Sequence, residues 1–406
     1  MSQITPRGTG AFPALQYRDL RVLGLGSVLG SFAHAGENII LGWLVLDRTD
    51  SLFMVGLAFS LQQLPHGLFG IPAGALADSV DRRRLVPLSA AAIAIPLGVL
   101  GLLIAFDLAE IWAILTLVFL AGIARTFYHT ARMSYAYDIV GAVAAVQGVS
   151  LIQLAIRVGA MASLIVGIVA ERSGIDTAYF LISGTYLLAA GVMLLVRSQG
   201  RAAPASRASA RRGVGELFAE AKTNRVLLTL ITSTALVEVL GFSYKVLLPG
   251  IARDVLGIGV DGLGVMAGVG AAGAVLSIVA LSVQRTTVRT GSLYIAVVLV
   301  FGVSLVALGG APGFVIMLVV LAVVNAMMGL VDVLSQSLMQ LSVPNALRGR
   351  AMGSWAFAIG AGPLGSLEVG ALASFAGVTS ALAVNGLGLV ALSAMIVVLV
   401  PQMRRV

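Results

Sequence analysis

Cysteine is absent from the 406-residue sequence, which excludes disulfides, thiolate nucleophiles and cysteine metal sites but leaves the redox compartment open. Charge is scarce too, at 11% of residues against 59% hydrophobic, with a mean hydropathy of +1.01. A water-soluble globule needs far more charge on its surface, and only a bilayer solvates such a chain comfortably. No GxxxxGK[ST] loop, G-x-S-x-G elbow or H-E-x-x-H pair occurs. That argues against a built-in ATPase and leaves an enzyme without a visible catalytic centre. No histidine stands at a metal-ligand spacing from an acid, and neither metal nor cofactor is expected. Glycine, by contrast, is abundant: 48 residues against 6% aromatics is the composition of helices that pack closely through small side chains.

Twelve apolar runs of membrane-spanning length lie near 20–45, 52–76, 85–105, 110–131, 147–170, 177–196, 226–250, 262–283, 291–310, 314–339, 350–373 and 379–400. The apolar run from Val22 is far longer than a signal h-region and has no small-x-small cleavage site before the next polar loop, so it reads as the first span. Basic residues are lopsided. The tails and even-numbered loops hold Arg18, Arg21, Arg82 to Arg84, the cluster from Arg197 to Arg225, and Arg285, Arg289, Arg348, Arg350, Arg404 and Arg405. Odd-numbered loops hold only Arg48, Arg172 and Arg253. This asymmetry outweighs the net charge of +8 in meaning. It predicts a multi-pass inner-membrane protein with both termini cytoplasmic and points the charge at anionic lipid, not nucleic acid.

The long polar interruption between Arg197 and Arg225, with Pro204 inside it, divides the chain into a six-helix bundle over 1–197, a cytoplasmic linker over 198–225 and a second six-helix bundle over 226–406. A displacement of 203 positions aligns Gly159, Ser163, Gly167 and Gly174 with Gly362, Ser366, Gly370 and Gly377, so spans five and eleven read as equivalents. Duplicated bundles suit alternating access, in which rocking one repeat against the other exposes one midplane site to either side.

The segment Gly74-Ala-Leu-Ala-Asp78-Ser-Val-Asp81-Arg82-Arg83-Arg84 is the most specific local signal. Small Gly74 permits close helix approach, Asp78 can accept from a helix N-terminus or pair with an arginine, and the basic triplet sits at the membrane rim. Such a cluster can latch in one state and release in another; the plainer reading is a positive-inside anchor. The counterpart near Arg285 and Arg289 lacks an acid, so a latch there is degenerate.

This segment resembles the loop-two signature of the major facilitator superfamily. The wider stretch from Trp43 to Leu85 is similar to the superfamily's drug-exporter branch, which includes macrolide efflux proteins and the enterobactin exporter; Asp81, where the superfamily usually has glycine, is common in that branch. The resemblance implies an all-α membrane protein of twelve helices in two pseudosymmetric bundles, working as a monomeric, proton-driven exporter of a small hydrophobic or amphiphilic compound. The antiporter signature of span five is incomplete, because Ala160 stands where proline belongs, which keeps an importer or facilitator of a metabolite or lipid-like solute open. A non-transporting sensor or scaffold is the third reading.

Ionisable residues inside spans are costly, so each needs a partner, a water-filled cavity or a task. His34 and Glu37 are one turn apart in span one, beside Asn38. Glu37 is the first proton-coupling candidate, or else a structural partner for an arginine of span four or five. Glu238, Asp332 and Glu368 are further proton candidates, although Asp332 and Glu368 can lie near helix ends. Glu238 and Lys245 are two turns apart in span seven, either paired or lining a substrate site. Arg125, His129 and Arg132 form an inward stripe in span four; Arg125 suits an anionic substrate group or Glu37, and Arg132 suits snorkelling or a loop pair near Asp138. Arg157 meets a cavity acid or a structural partner. His66 reads as a packed helix-end residue. Two G-x-G-x-x-G matches, at Gly268 to Gly273 and Gly360 to Gly365, lie within apolar spans and read as helix packing, not nucleotide loops.

Overall fold

A computed structural model describes residues 16–200, 224–283, 290–343 and 348–405. Most of the predicted linker and the Arg285/Arg289 loop lie outside the described residues. Hydrocarbon offers backbone groups no water, so each apolar run closes its own hydrogen bonds as a helix. Among the described residues twelve helices are long and apolar enough to span a membrane: Arg18–Thr49, Leu52–Gly70, Arg82–Ala105, Ile111–Gly141, Gln147–Ser173, Ile175–Met193, Arg225–Val255, Val260–Leu281, Thr290–Gly309, Phe314–Leu341, Ala351–Ala376 and Val378–Leu399. Large apolar side chains stand on the outside, among them Leu88, Trp112, Val315 and Phe375, which is 92% exposed. Lipid is the environment that tolerates such a surface.

Three spans depart from expectation. Span four continues ten residues past its predicted end to Gly141, whose φ of 72° and ψ of 173° break the helical run. The added turns carry Tyr135 and Asp138, which bond other polar groups instead of lipid. Span seven is α-helical only to Leu240, then runs through a 3₁₀ segment Phe242–Leu247, a turn Leu248–Gly250 and a π segment Ile251–Val255. Pro249 explains the break: it has no N–H for the Lys245 carbonyl, which accepts from the Leu248 N–H instead. The shared face predicted for Glu238 and Lys245 on one continuous α-helix is thereby corrected. Span eleven halts at Gly360 and Ala361 and restarts as Gly362–Ala376, with Pro363 in the first turn, where a missing N–H costs nothing.

The internal duplication is visible in the backbone. Gly174 (φ 96°, ψ 155°) ends span five and starts span six, and Gly377 (φ 82°, ψ 163°), 203 positions on, does the same for spans eleven and twelve. That region of φ/ψ space is essentially reserved for glycine.

Contacts gather the chain into two compact units, Met1–Asn38 with Leu68–Pro204 and Ile39–Gly67 with Ala205–Val406. In the first, Tyr135, Tyr179 and Tyr186 are the largest fully buried side chains, and a Cβ on Gly159 of span five would strike the Val28 carbonyl of span one. In the second, Gly302 and Gly386 face each other so closely that a Cβ on either would lie 2.5 Å from the other's carbonyl oxygen. Gly270 and Gly273 lie against Asn325 and Ala322 of span ten, so the first G-x-G-x-x-G match is a packing seam.

Candidate functional site

In the first unit, Glu37 is fully buried and ion-paired to Arg125 Nη2, whose side chain is 7% exposed. Of the partners open to Glu37 in the sequence, the arginine of span four bonds it. His34 Nδ1 stands 3.9 Å from the same carboxylate. Tyr179 and Tyr186 of span six are buried close enough to feel the pair's charges. These tyrosines escaped the sequence reading; their spacing of seven, two turns on one face, is the signal that could have found them. Asn38 and Arg157 are partly buried, and His129 is exposed although Arg125 and Arg132 on its stripe are buried.

Arg132 corrects its expectation. Its guanidinium lies 4.7 Å from the Tyr128 ring centroid and donates to the Tyr128 hydroxyl at 3.4 Å, within the helix instead of toward a loop acid. Asp138 pairs elsewhere.

That partner is Arg82, 7% exposed, which donates to Asp138 at 2.6 Å, to Asp78 at 2.8 Å and to the Ala77 carbonyl at 2.8 Å. Its planar fork serves two acids and a carbonyl at once, which a lysine could not do. Asp81 caps span three by accepting from the Arg83 N–H at 3.0 Å, and it also accepts from the Gly200 N–H at 3.2 Å. Arg83 is exposed. Among the described residues a Cβ on Gly74 would meet nothing within 4 Å. After span six, Ser198 donates to Asp19 through its N–H (2.7 Å) and hydroxyl (2.5 Å) and accepts from Tyr135.

In the second unit, Glu238 lies within electrostatic reach of Lys245 and Asp332. Its Oε1 is 3.5 Å from where a Cβ on Gly362 would stand, and Gln63 Oε1 is 2.8 Å from that point. Asp332 accepts from Gln336 at 3.2 Å, and the Lys245 ammonium sits 5.7 Å from the Phe242 ring centroid. Three of the four predicted groups of this half, Glu238, Lys245 and Asp332, thus form one electrostatic cluster. The fourth, Glu368, bonds Asn385 of span twelve at 3.2 Å and occupies a different face of span eleven. Gln63 donates to Ser366 at 3.4 Å beside this cluster, and both were missed because uncharged residues in an apolar run raise no alarm. Among the described residues, no group of three or more His, Asp or Glu could hold a metal ion.

Twelve apolar helices, an internal repeat and buried ion pairs define a multi-pass helical membrane protein. The Major Facilitator Superfamily model matches residues 23–367, and the chain belongs to that superfamily as a membrane transporter. No curated protein matches it. Similar solved structures include a point mutant of the nucleoside transporter NupG (TM-score 0.80, 14% identity, 94% of this chain and 100% of that one). A point mutant of the peptide transporter POT is similar at TM-score 0.78 and 14% identity, covering 98% and 96%. A bacterial homologue of the human lysosomal transporter Spinster, inward-facing and unoccupied, is similar at TM-score 0.70 and 15% identity, covering 98% and 97%. At these identities the likeness shows the fold.

Proposed function

We propose that the chain is a proton-coupled antiporter that expels a small hydrophobic or amphiphilic compound from the cell by alternating access. The observation that carries the reading is the Glu37–Arg125 pair, buried beside His34 and two tyrosine hydroxyls in span one's unit. A proton delivered to Glu37 cancels its charge and frees Arg125 to bond elsewhere. Two arrangements of one buried group, each favoured by a different ligand, are the minimum a coupled transporter needs. Glu238, Asp332 and Lys245 supply charges of both signs for the second repeat's share of a substrate lining. The Asp78–Arg82–Asp138 network serves as a latch that holds one state. The chain works as a monomer in the inner membrane with both termini cytoplasmic, its basic rims against anionic lipid, as the arginine asymmetry supports.

Ala160 favours a second reading, an importer or facilitator, because the antiporter signature has proline there. Nucleoside and peptide transporters share the fold, which fits either direction. Proteoliposomes loaded with a panel of amphiphilic compounds decide the matter. Movement driven by an imposed pH gradient, lost in Glu37→Gln while substrate exchange at equal pH persists, supports proton-coupled export. Flux indifferent to pH supports the second reading, and no flux at all supports a sensor or scaffold.

A further inference from the structure

Glu368 is the acid of span eleven that the transport reading does not use. The packed face of this helix is formed by Gly362, Gly365, Ser366, Val369, Gly370 and Ala373, all buried. Glu368 falls on another stripe, between Leu364 one turn before it (65% exposed) and Phe375 two turns after it (92% exposed). An apolar stripe so exposed on a spanning helix faces lipid. Glu368 lies about 12 Å from the helix end at Ala376, at ~1.5 Å per residue, and so within the hydrocarbon layer.

Among the described residues it has one bonding partner. Asn385 Nδ2 of span twelve donates to Glu368 Oε2 at 3.2 Å, and Asn385 itself is 1% exposed. The other titratable groups on helices packed against span eleven are Arg225, Glu238, Tyr244, Lys245, Arg253 and Asp254 of span seven, His66 of span two and Asp332 of span ten. None of them bonds or charge-pairs with Glu368, and span twelve has no titratable residue. The decisive atom is Asn385 Oδ1, a buried acceptor without a donor. A buried acceptor left unmade is expensive, and a carboxylate beside it would add repulsion.

We propose that Glu368 and Asn385 form a proton-holding acid–amide pair on the lipid-facing side of spans eleven and twelve, outside the transport lining. The carboxylic O–H donates to Asn385 Oδ1 while Nδ2–H donates to the other carboxyl oxygen. Two bonds close a ring, and the orphaned acceptor is satisfied only when the proton is present. A lipid-soluble carbodiimide is the ligand class such a site takes. The un-ionised carboxyl adds across a C=N bond, its proton going to nitrogen, and the acyl group migrates to give an N-acylurea with no atom lost.

The test treats the full chain in liposomes with dicyclohexylcarbodiimide at neutral pH and reads modification by peptide mass spectrometry. Glu368 is expected to gain one carbodiimide, and Glu368→Gln to abolish that label while keeping its thermal stability, since Gln and Asn can form the same ring. A water-soluble carbodiimide is expected to modify exposed Asp50 in preference to Glu368. Labelling of Glu368 that appears only at the acidic pH where Asp50 first labels would overturn the proposal. The infrared band of an un-ionised carboxyl at neutral pH, present in the native chain and missing in Glu368→Gln, checks the same point without altering Asn385. Absence of that band in the native chain would equally overturn it.

Discussion

Replacing Arg125 with methionine tests the centre of the first unit. The substitution keeps an apolar stem of similar length and takes the Arg125 guanidinium away from the Glu37 carboxylate, which is 0% exposed. Removing one partner of a buried ion pair costs about 3–5 kcal/mol, because the remaining charge stays desolvated and unpaired. His34, 3.9 Å away and 40% exposed, is too distant and too wet to replace a guanidinium. At ~2–4 °C per kcal/mol for a unit of this size, the apparent melting temperature in detergent should fall by roughly 6–20 °C. The double variant Arg125→Met with Glu37→Gln removes both charges, and replacing a buried pair entirely is often neutral or better. It should therefore recover most of the loss, giving a coupling energy of about 3 kcal/mol or more in a double-mutant cycle. A single variant as stable as the native chain, or a double variant worse than either single one, would refute the view that these two groups are each other's main compensation.

Arg82→Lys should lower stability by roughly 1–3 kcal/mol in thermal unfolding, since one ammonium cannot serve Asp78, Asp138 and the Ala77 carbonyl together. Asp81→Ala removes the cap of span three and the Gly200 contact; a loss of about 0.5–2 kcal/mol is expected, with faster proteolysis between spans six and seven as the second readout. Gly174→Ala and Gly377→Ala should each cost about 1–3 kcal/mol, because φ near 90° with extended ψ strains any residue that has a Cβ. Equal melting temperatures for native and variant chains would show those backbones to be relaxed.

Much of the architecture was legible because lipid leaves so few options: a run of apolar residues must be a helix, and Gly174 and Gly377, at equal offsets in the two halves, make the same backbone turn. Where the reading slipped, a local force outweighed hydropathy. Span four outran its apolar segment because Tyr135 and Asp138 find polar partners beyond it. Span seven broke because Pro249 takes away one helical bond, a consequence that an apolar count ignores. Glu37 and Arg125 were visible as costly residues, yet which arginine met the acid depended on packing. The exposed face of Glu368 was readable in principle from Leu364 and Phe375 at helical spacing, but the cost of burying charge drew attention inward. Tyr179 and Tyr186 looked like ordinary apolar filling.

Gly174 and Gly377 carry a mechanical implication. A junction one residue long has no slack, so the outgoing and incoming rods are joined like the tines of a fork. At that end spans five and six cannot part, and neither can eleven and twelve. Any change of angle within either pair has to be absorbed by the φ and ψ of a single glycine.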